Sequence, residues 1–288
     1  MSAALLDGKA LAARIKEQLK TEVGVLKEKT NRVPAMVNLM VGNDPAAGAY
    51  ANSQKKVAEY IGIGYKLINL DQNIKQSEVI ENIERLNKDA QVNGIMVYKP
   101  LPKPLDYGAI ANHLNPAKDL EGMSAVNFGK LILGGTKIIP CTPASAMEHI
   151  KSTGDKLRGK EAVIVGRSEI VGKPLALLLL AESATVTICH TGTHDAGKLA
   201  QHVKRADIVV AAVGKAGFVK GDWIKTGATV IDVGINKVDD KIVGDVEFEA
   251  ASKRAAFITP VPGGVGPVTV VMLMKNCIEA FKEQNKLS

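Results

Sequence analysis

The stretch AVIVGRSEIVGKPLALLLL, residues 162–180, constrains this chain more than any other. A short apolar run ends at Gly166, and a leucine-rich run begins just after Gly172. The first reads as a buried strand and the second as a helix. A strand, a glycine turn and a helix in that order form the repeating unit of a parallel sheet. The same turn suits a dinucleotide, because glycine lets the backbone approach a pyrophosphate and helix N-terminal N–H groups face it. The spacing is Gly166-x5-Gly172 and not GxGxxG, so a tight βα turn without a ligand is the alternative. Arg167 and Ser168 within the turn favour an anion.

The same alternation extends in both directions. Residues 4–30 have helical apolar spacing (Leu5, Leu11, Ile15, Leu19, Val23) and predict one amphipathic helix. PAMVNLMVG, YKLINL and GIMVYKPLP predict three strands. A helix from Ala49 to Ile61 separates the first two, and one capped by Ser77 separates the last two. ADIVVAAVG, ATVIDVG and AAFITPVP predict three more strands after the glycine turn, and a final helix follows GGVGP. The expected fold is α/β with two domains. Residues 1–146 form the first, residues 147–266 a Rossmann-like second, and the helix 267–288 packs back on the first.

Composition excludes several classes. The 288 residues are 46% hydrophobic, ample for a core, and contain no apolar run long enough to span a membrane. The start lacks a basic region followed by an apolar one, so it reads as mature protein. Three scattered cysteines, Cys141, Cys189 and Cys277, fit neither a disulfide framework nor a zinc site, and point to a reducing, cytoplasmic setting with no metal. The net charge of +7 is spread over helical surfaces, and aromatics are only 4% of residues. Stacking platforms for nucleic acid are therefore scarce, and a small anionic ligand suits the charge better.

The strand after the glycine turn ends in TVTICHTGTH. NAD sites usually place a carboxylate here, whereas this strand offers His190, Thr191 and Thr193, with no acid before Asp195. NADP is favoured over NAD, with Arg167 as the 2′-phosphate partner. His190 is either a cofactor contact or a solvated loop histidine. AAVGKAG (211–217) and GDV (244–246) follow later strands, where open α/β sheets place ligand contacts. TPVPGGVGPVT (259–269) carries three prolines and three glycines, more than a structural turn needs, and reads as a ligand loop.

Taken together, GRSEIVGKP, PCTP, AVGKAGF, GDV and TPVPGGVGPVT resemble the tetrahydrofolate dehydrogenase/cyclohydrolase family over essentially the whole chain. That resemblance implies two α/β domains, an N-terminal substrate domain and an NAD(P)-binding domain with a cleft between them, in a homodimer. It implies oxidation of methylene-tetrahydrofolate, followed in many members by hydrolysis of the methenyl product. It assigns Gly166, Arg167, Ser168, Ile170, Gly172, His190, Thr191, Val213, Gly214, Lys215, Gly234, Gly266 and Thr269 to the cofactor. Tyr50, Pro100, Leu101, Glu121, Pro262, Gly263 and Gly264 go to the folate, and Tyr50, Gln54, Tyr98 and Glu121 to the catalytic site.

The chemistry half departs from the family's pattern. Tyr50 is present, but the lysine four residues later is Gln54. The strand glutamine is Tyr98 and the aspartate of the KDVDG turn is Glu121. Ala47 replaces a loop serine, and PCTPAS has Ser145 for glycine. Hydride transfer needs aligned rings and no titrating side chain. Hydrolysis adds water and moves protons, which calls for a group such as a lysine with lowered pKa. Gln54 cannot titrate. Lys55 and Lys56 are rotated about 100° and 200° away on the helix, and Lys99 points to the sheet face opposite Tyr98. The expected activity is dehydrogenation with weak or absent hydrolysis. The alternatives are a bifunctional enzyme using another base, and a non-catalytic folate- or nucleotide-binding regulator. A monofunctional dehydrogenase branch of the family is similar in GIMVY and KDxEG.

Overall fold

The computed structural model describes residues 2–287. Along the chain, β1 (Ala4–Leu5) is followed by α1 (Gly8–Thr30). Next come β2 (Ala35–Val41), α2 (Pro45–Ile61), β3 (Gly64–Leu70), α3 (Gln76–Lys88) and β4 (Gly94–Val97). Two short helices, α4 (Tyr107–Ala111) and α5 (Ala125–Leu133), lead to α6 (Cys141–Ser152). The second half runs β5 (Glu161–Val165), α7 (Gly172–Ala181), β6 (Thr185–Cys189), α8 (Thr191–Asp195), α9 (Leu199–Arg205), β7 (Ile208–Ala211) and β8 (Thr229–Asp232). It ends with the hairpin β9 (Asn236–Val238) and β10 (Lys241–Val243), then α10 (Phe248–Ser252), β11 (Phe257–Ile258) and α11 (Val265–Gln284).

The chain divides into two compact units. Arg14–Cys141 joins the segment from Val270 onward, and Thr142–Thr269 joins the segment up to Ala13. Met1 and Ser288, the ends of the segments 1–146 and 267–288, lie outside the described residues.

The first unit holds the sheet β3-β2-β4, all parallel. β2 lies in its centre and is buried along almost its full length, so it is apolar on both faces instead of alternating, with Asn38 its one polar residue. Val37, Leu39 and Val41 pack with Ile95, Val97, Val79, Ile83 and Leu86 in one core. α2 begins at Pro45, a turn earlier than expected, because the Asp44 carboxylate accepts the Ala47 N–H at 2.7 Å and Pro45 suits the first turn. Gly62 closes it in the left-handed conformation. Its buried face is Ala47, Ala51, Gln54, Ala58 and Ile61, and the polar member of that row sets the chemistry below. α3 starts at Gln76 and not after Ser77; Glu78 reaches back to accept the Lys75 N–H at 3.0 Å. Asn276 of α11 ties this unit together, donating to the carbonyls of Leu120 (2.8 Å) and Ile139 (2.7 Å).

The second unit holds a six-stranded parallel sheet in the order β1-β11-β8-β7-β5-β6. Apolar clusters lie on its two faces, one around Val163, Val209 and Val230 and one around Ile164, Val210 and Ile231. Period-2 alternation along each buried strand produces that division. The single helix expected over 4–30 is corrected here. Ala4 and Leu5 pair with Phe257 and Ile258 as an edge strand, and the helix starts at Gly8. No helix among the described residues is long and apolar enough to cross a membrane.

Candidate active site

In the second unit, Gly166 ends β5 with φ +131°, a conformation that excludes side chains, and a Cβ there would lie 2.2 Å from the Ala212 carbonyl. A Cβ on Gly172 would lie 2.1 Å from the Gly166 carbonyl, so the start of α7 is pressed against the turn. Ser168 Oγ accepts the Val171 N–H at 3.1 Å and fixes the loop. The turn opens into a cavity of about 490 Å³ lined by Gly166, Arg167, Ser168, His190, Thr191, His194, Val213 and Lys215, with Val165, Ala212 and Phe218 completing it. None of these is a carboxylate. The cavity gathers Arg167, Lys215 and two imidazoles, a donor set that suits a phosphorylated, anionic ligand.

His190 has a local task as well. Its Nδ1 accepts the Gly192 N–H at 3.2 Å, capping α8, which leaves Nε2 as the free end. His194 was missed in the sequence; its ring lies 5.0 Å from that of Phe218. The helical turn TGTH, too short to show a period, gave no signal for it.

The GDV segment, expected to contact a ligand, does otherwise. Asp245 is fully buried and accepts the N–H groups of Val213 (2.6 Å), Gly214 (2.9 Å) and Lys215 (2.8 Å). Those backbone donors are therefore spent on Asp245, and of these three residues Val213 and Lys215 line the cavity. Asp232 sits beneath it, accepting from the N–H groups of Gly234, Asp245 and Val246 at 2.9–3.0 Å. Burial pushes its carboxyl up to about 6, against these three hydrogen bonds. Gly234 is thus a scaffold residue outside the cavity.

In the 259–269 loop, Gly263 accepts the Gly8 N–H at 2.9 Å, and a Cβ on Gly8 would lie 1.8 Å from the Gly264 carbonyl. Only glycine fits at position 8, a requirement the residues DGKALA did not reveal. Ser145 donates to the Val265 carbonyl at 2.8 Å, so this departure from the family pattern is built into the loop. Pro262 is exposed. Gly266 and Thr269 lie in the first turns of α11, where Thr269 Oγ1 donates to the Val265 carbonyl at 3.1 Å. Ile170 is exposed and, like Gly172, Gly214, Gly266 and Thr269, is outside the lining of the cavity.

In the first unit, Gln54 is completely buried and Tyr98 is 3% exposed. Gln54 Oε1 accepts from Asn38 Nδ2 at 2.6 Å and from the Tyr98 hydroxyl at 2.6 Å. Asn38 Nδ2 also lies 3.0 Å from the Tyr98 hydroxyl, and Tyr65 approaches that hydroxyl at 3.2 Å. Gln54 Nε2 faces the Met96 sulfur at 3.6 Å. The Tyr50 ring stands edge-on to Tyr98, centroids 6.2 Å apart at 81°, and is less deeply buried. Burial pushes the Tyr50 and Tyr98 phenols up, so every member of this cluster is neutral at ordinary pH. Asn38 and Tyr65 were missed because an asparagine in an apolar strand has no pattern of its own.

Lys55 and Lys56 are exposed, and Lys55 pairs with Glu59 at 3.8 Å. Lys99 lies beyond the end of β4. Its ammonium stands over Tyr107, whose ring centroid is 4.1 Å from Nζ, and the Tyr107 hydroxyl donates to Glu121 Oε2 at 3.1 Å. Burial pushes the Glu121 carboxyl up, and Lys99 opposes this. In KDLEG, Lys118 donates to the carbonyls of Leu86 and Asp89, while Asp119 accepts from Ser124 N–H and Asn127 Nδ2. Only Glu121 is left without a scaffolding duty. Leu101 packs against the apolar core and Pro100 is exposed beside Lys99. Burial and the negative charge of Glu121 push the Cys141 thiol up, away from nucleophilic use.

The fold and site define a two-unit α/β oxidoreductase with a dinucleotide-type cavity and a separate neutral polar cluster. The chain belongs to the tetrahydrofolate dehydrogenase/cyclohydrolase family. The profile of the family's catalytic domain matches residues 6–121, and that of its NAD(P)-binding domain matches residues 140–285. The "Bifunctional protein FolD" of Acetivibrio thermocellus is 52% identical over 288 residues, covering 100% of both chains. The crystal structure of the bifunctional FolD methylenetetrahydrofolate dehydrogenase/cyclohydrolase from Campylobacter jejuni is 42% identical. It covers 99% of this chain and 100% of that one, with a TM-score of 0.94. The Trypanosoma brucei enzyme complexed with NADP cofactor and inhibitor is 38% identical, with 99% of each chain covered and a TM-score of 0.94.

Proposed function

We propose that this chain is an NADP-favouring methylenetetrahydrofolate dehydrogenase in which the cyclohydrolase reaction is weak or lost. The observation that carries the proposal is the state of Gln54. It stands where the family's lysine is expected, it cannot titrate, and its acceptor oxygen is occupied by Asn38 and Tyr98. General acid–base help is commonly worth about 10²–10⁴-fold, and no group of this cluster supplies it.

A bound nicotinamide would supply the hydride acceptor for the bridging carbon of the folate. Arg167, Ser168, His190, Thr191 and Lys215 would hold the cofactor's phosphates and ribose, and the missing carboxylate in that cavity suits a 2′-phosphate. Glu121 would accept the N–H donors of the amino-pyrimidine, with Tyr50, Pro100 and Leu101 against the rest of the folate. Gln54 and Tyr98 act from beneath Tyr50, keeping the floor of the site rigid and uncharged. Pro262, Gly263 and Gly264 would contact the folate as well. A cytoplasmic homodimer is the expected setting.

The names of the similar proteins favour a second reading, a bifunctional enzyme in which a positioned water or another base replaces the lysine. The test is to follow NADPH formation from methylenetetrahydrofolate and, separately, decay of methenyltetrahydrofolate above its spontaneous rate. Dehydrogenation with hydrolysis at background supports the proposal. Fast hydrolysis selects the second reading, and tight binding with no turnover selects a non-catalytic regulator.

A further inference from the structure

Lys99, Tyr107 and Glu121 come from three separate places: the segment just after β4, the first residue of α4 and the KDLEG turn. The structure brings them together. The Lys99 ammonium lies over the Tyr107 ring at 4.1 Å, and Tyr107 donates to Glu121 Oε2 at 3.1 Å. Tyr107 is the only hydrogen-bond donor to Glu121 among the described residues.

We propose that Lys99 is a positioning residue: its ammonium is the counter-charge that holds Glu121 ready to accept paired N–H donors from the substrate's ring. This rests on the reading of Glu121 as the folate anchor. Three observations support it. Lys99 is half-buried on an aromatic face, where a cation is held by the ring as well as by charge. Burial and the neighbouring Asp119 both disfavour a charged Glu121, and Lys99 is the cation that opposes them. The other groups facing Glu121 are the Tyr107 and Tyr50 phenols and the Cys141 thiol, all neutral, so none of them can take over that role.

A substrate donor pair needs the carboxylate form, which accepts at both oxygens. Without Lys99, Glu121 would hold its proton to higher pH, and folate binding would weaken over the pH range in which it does. The experiment compares Lys99→Met and Lys99→Arg in the full chain, by NADP-linked kinetics and by calorimetric binding of tetrahydrofolate. For Lys99→Met the loss falls on KM for methylenetetrahydrofolate, about tenfold on the acid limb, which corresponds to a shift of one pKa unit. The kcat changes by less than twofold. The acid limb of kcat/KM moves to higher pH, so the deficit narrows as pH rises, and Lys99→Arg restores the wild-type profile. An unchanged pH profile, or a pH-independent loss that arginine does not rescue, overturns the proposal. Wild-type protein that fails to bind tetrahydrofolate sinks the folate reading and the proposal with it. Wild-type binding with unaltered binding by Lys99→Met sinks the proposal alone.

Discussion

The Tyr98 hydroxyl donates to Gln54 Oε1 across 2.6 Å, joining two of the positions at which this chain departs from its family's pattern. The departures are coupled. A carboxamide at 54 supplies an acceptor, a phenol at 98 supplies a donor, and Asn38 on the central strand supplies a second donor at 2.6 Å. A lysine at 54 could accept neither bond as an ammonium.

That coupling predicts the outcome of restoring the lysine. Gln54→Lys alone buries an amine against two donors that lose their shared acceptor and costs about 2–4 kcal/mol, read as a lower urea midpoint with unchanged slope. Gln54→Lys with Tyr98→Gln replaces both partners together. It recovers stability and gains measurable methenyl hydrolysis. Equal stability of the single and double variants would show the two sites to be independent.

Asn38 is predicted to matter as much as Gln54 itself. Its Nδ2 lies within hydrogen-bond distance of Gln54, Tyr98 and Tyr65. Asn38→Leu leaves the Gln54 oxygen with one donor in a fully buried place, costing about 1–3 kcal/mol. Chemical denaturation checks the cost, and a change within experimental error would contradict it.

How much of this was legible in the sequence follows from range. The glycine turn, the parallel strands and the final helix were readable because each depends on neighbours a few residues away. β1 was not: Ala4 and Leu5 form a strand only because Phe257 and Ile258 lie alongside. The β9–β10 hairpin was missed too, although Asp239 and Asp240, both at positive φ, form its two-residue turn. At the site, Gln54 and Tyr98 could be placed by family pattern. Their partnership with Asn38 and Tyr65 joins three strands and a helix and has no linear signature. Lys99 was read by strand alternation as facing away from Tyr98, yet it lies beyond the end of β4, and its neighbours Tyr107 and Glu121 were invisible.

The cofactor loop gives a prediction that separates the two ligands. Asp245 holds three backbone N–H groups of residues 213–215. Asp245→Asn keeps one acceptor oxygen but turns an NH₂ towards those donors, releasing the loop at a cost of about 1–3 kcal/mol. KM for NADP should rise about tenfold, by the same energy, with KM for the folate nearly unchanged. A folate effect equal to the cofactor effect would contradict this assignment.

His149 gives the pH dependence of stability. It is completely buried on α6, with the Gly264 backbone beside its ring. Burial pushes the imidazole pKa down, against the Gly264 backbone and the charges of Glu148 and Asp7. The unfolded chain therefore binds a proton that the folded chain resists, so stability is lost as pH falls through the ordinary value of 6.5. His149→Leu should flatten the slope of stability against pH below that value, measured by thermal melts across pH 5–8. An identical slope in the variant would place the titration elsewhere.

The central claim is tested most directly by the ratio of two rates on one purified preparation: NADPH formation from methylenetetrahydrofolate, and enzyme-dependent hydrolysis of methenyltetrahydrofolate. The neutral, hydrogen-bonded Gln54 predicts hydrolysis at least about 10²-fold slower than dehydrogenation, the lower end of what proton transfer contributes. Hydrolysis keeping pace with NADPH formation would contradict it.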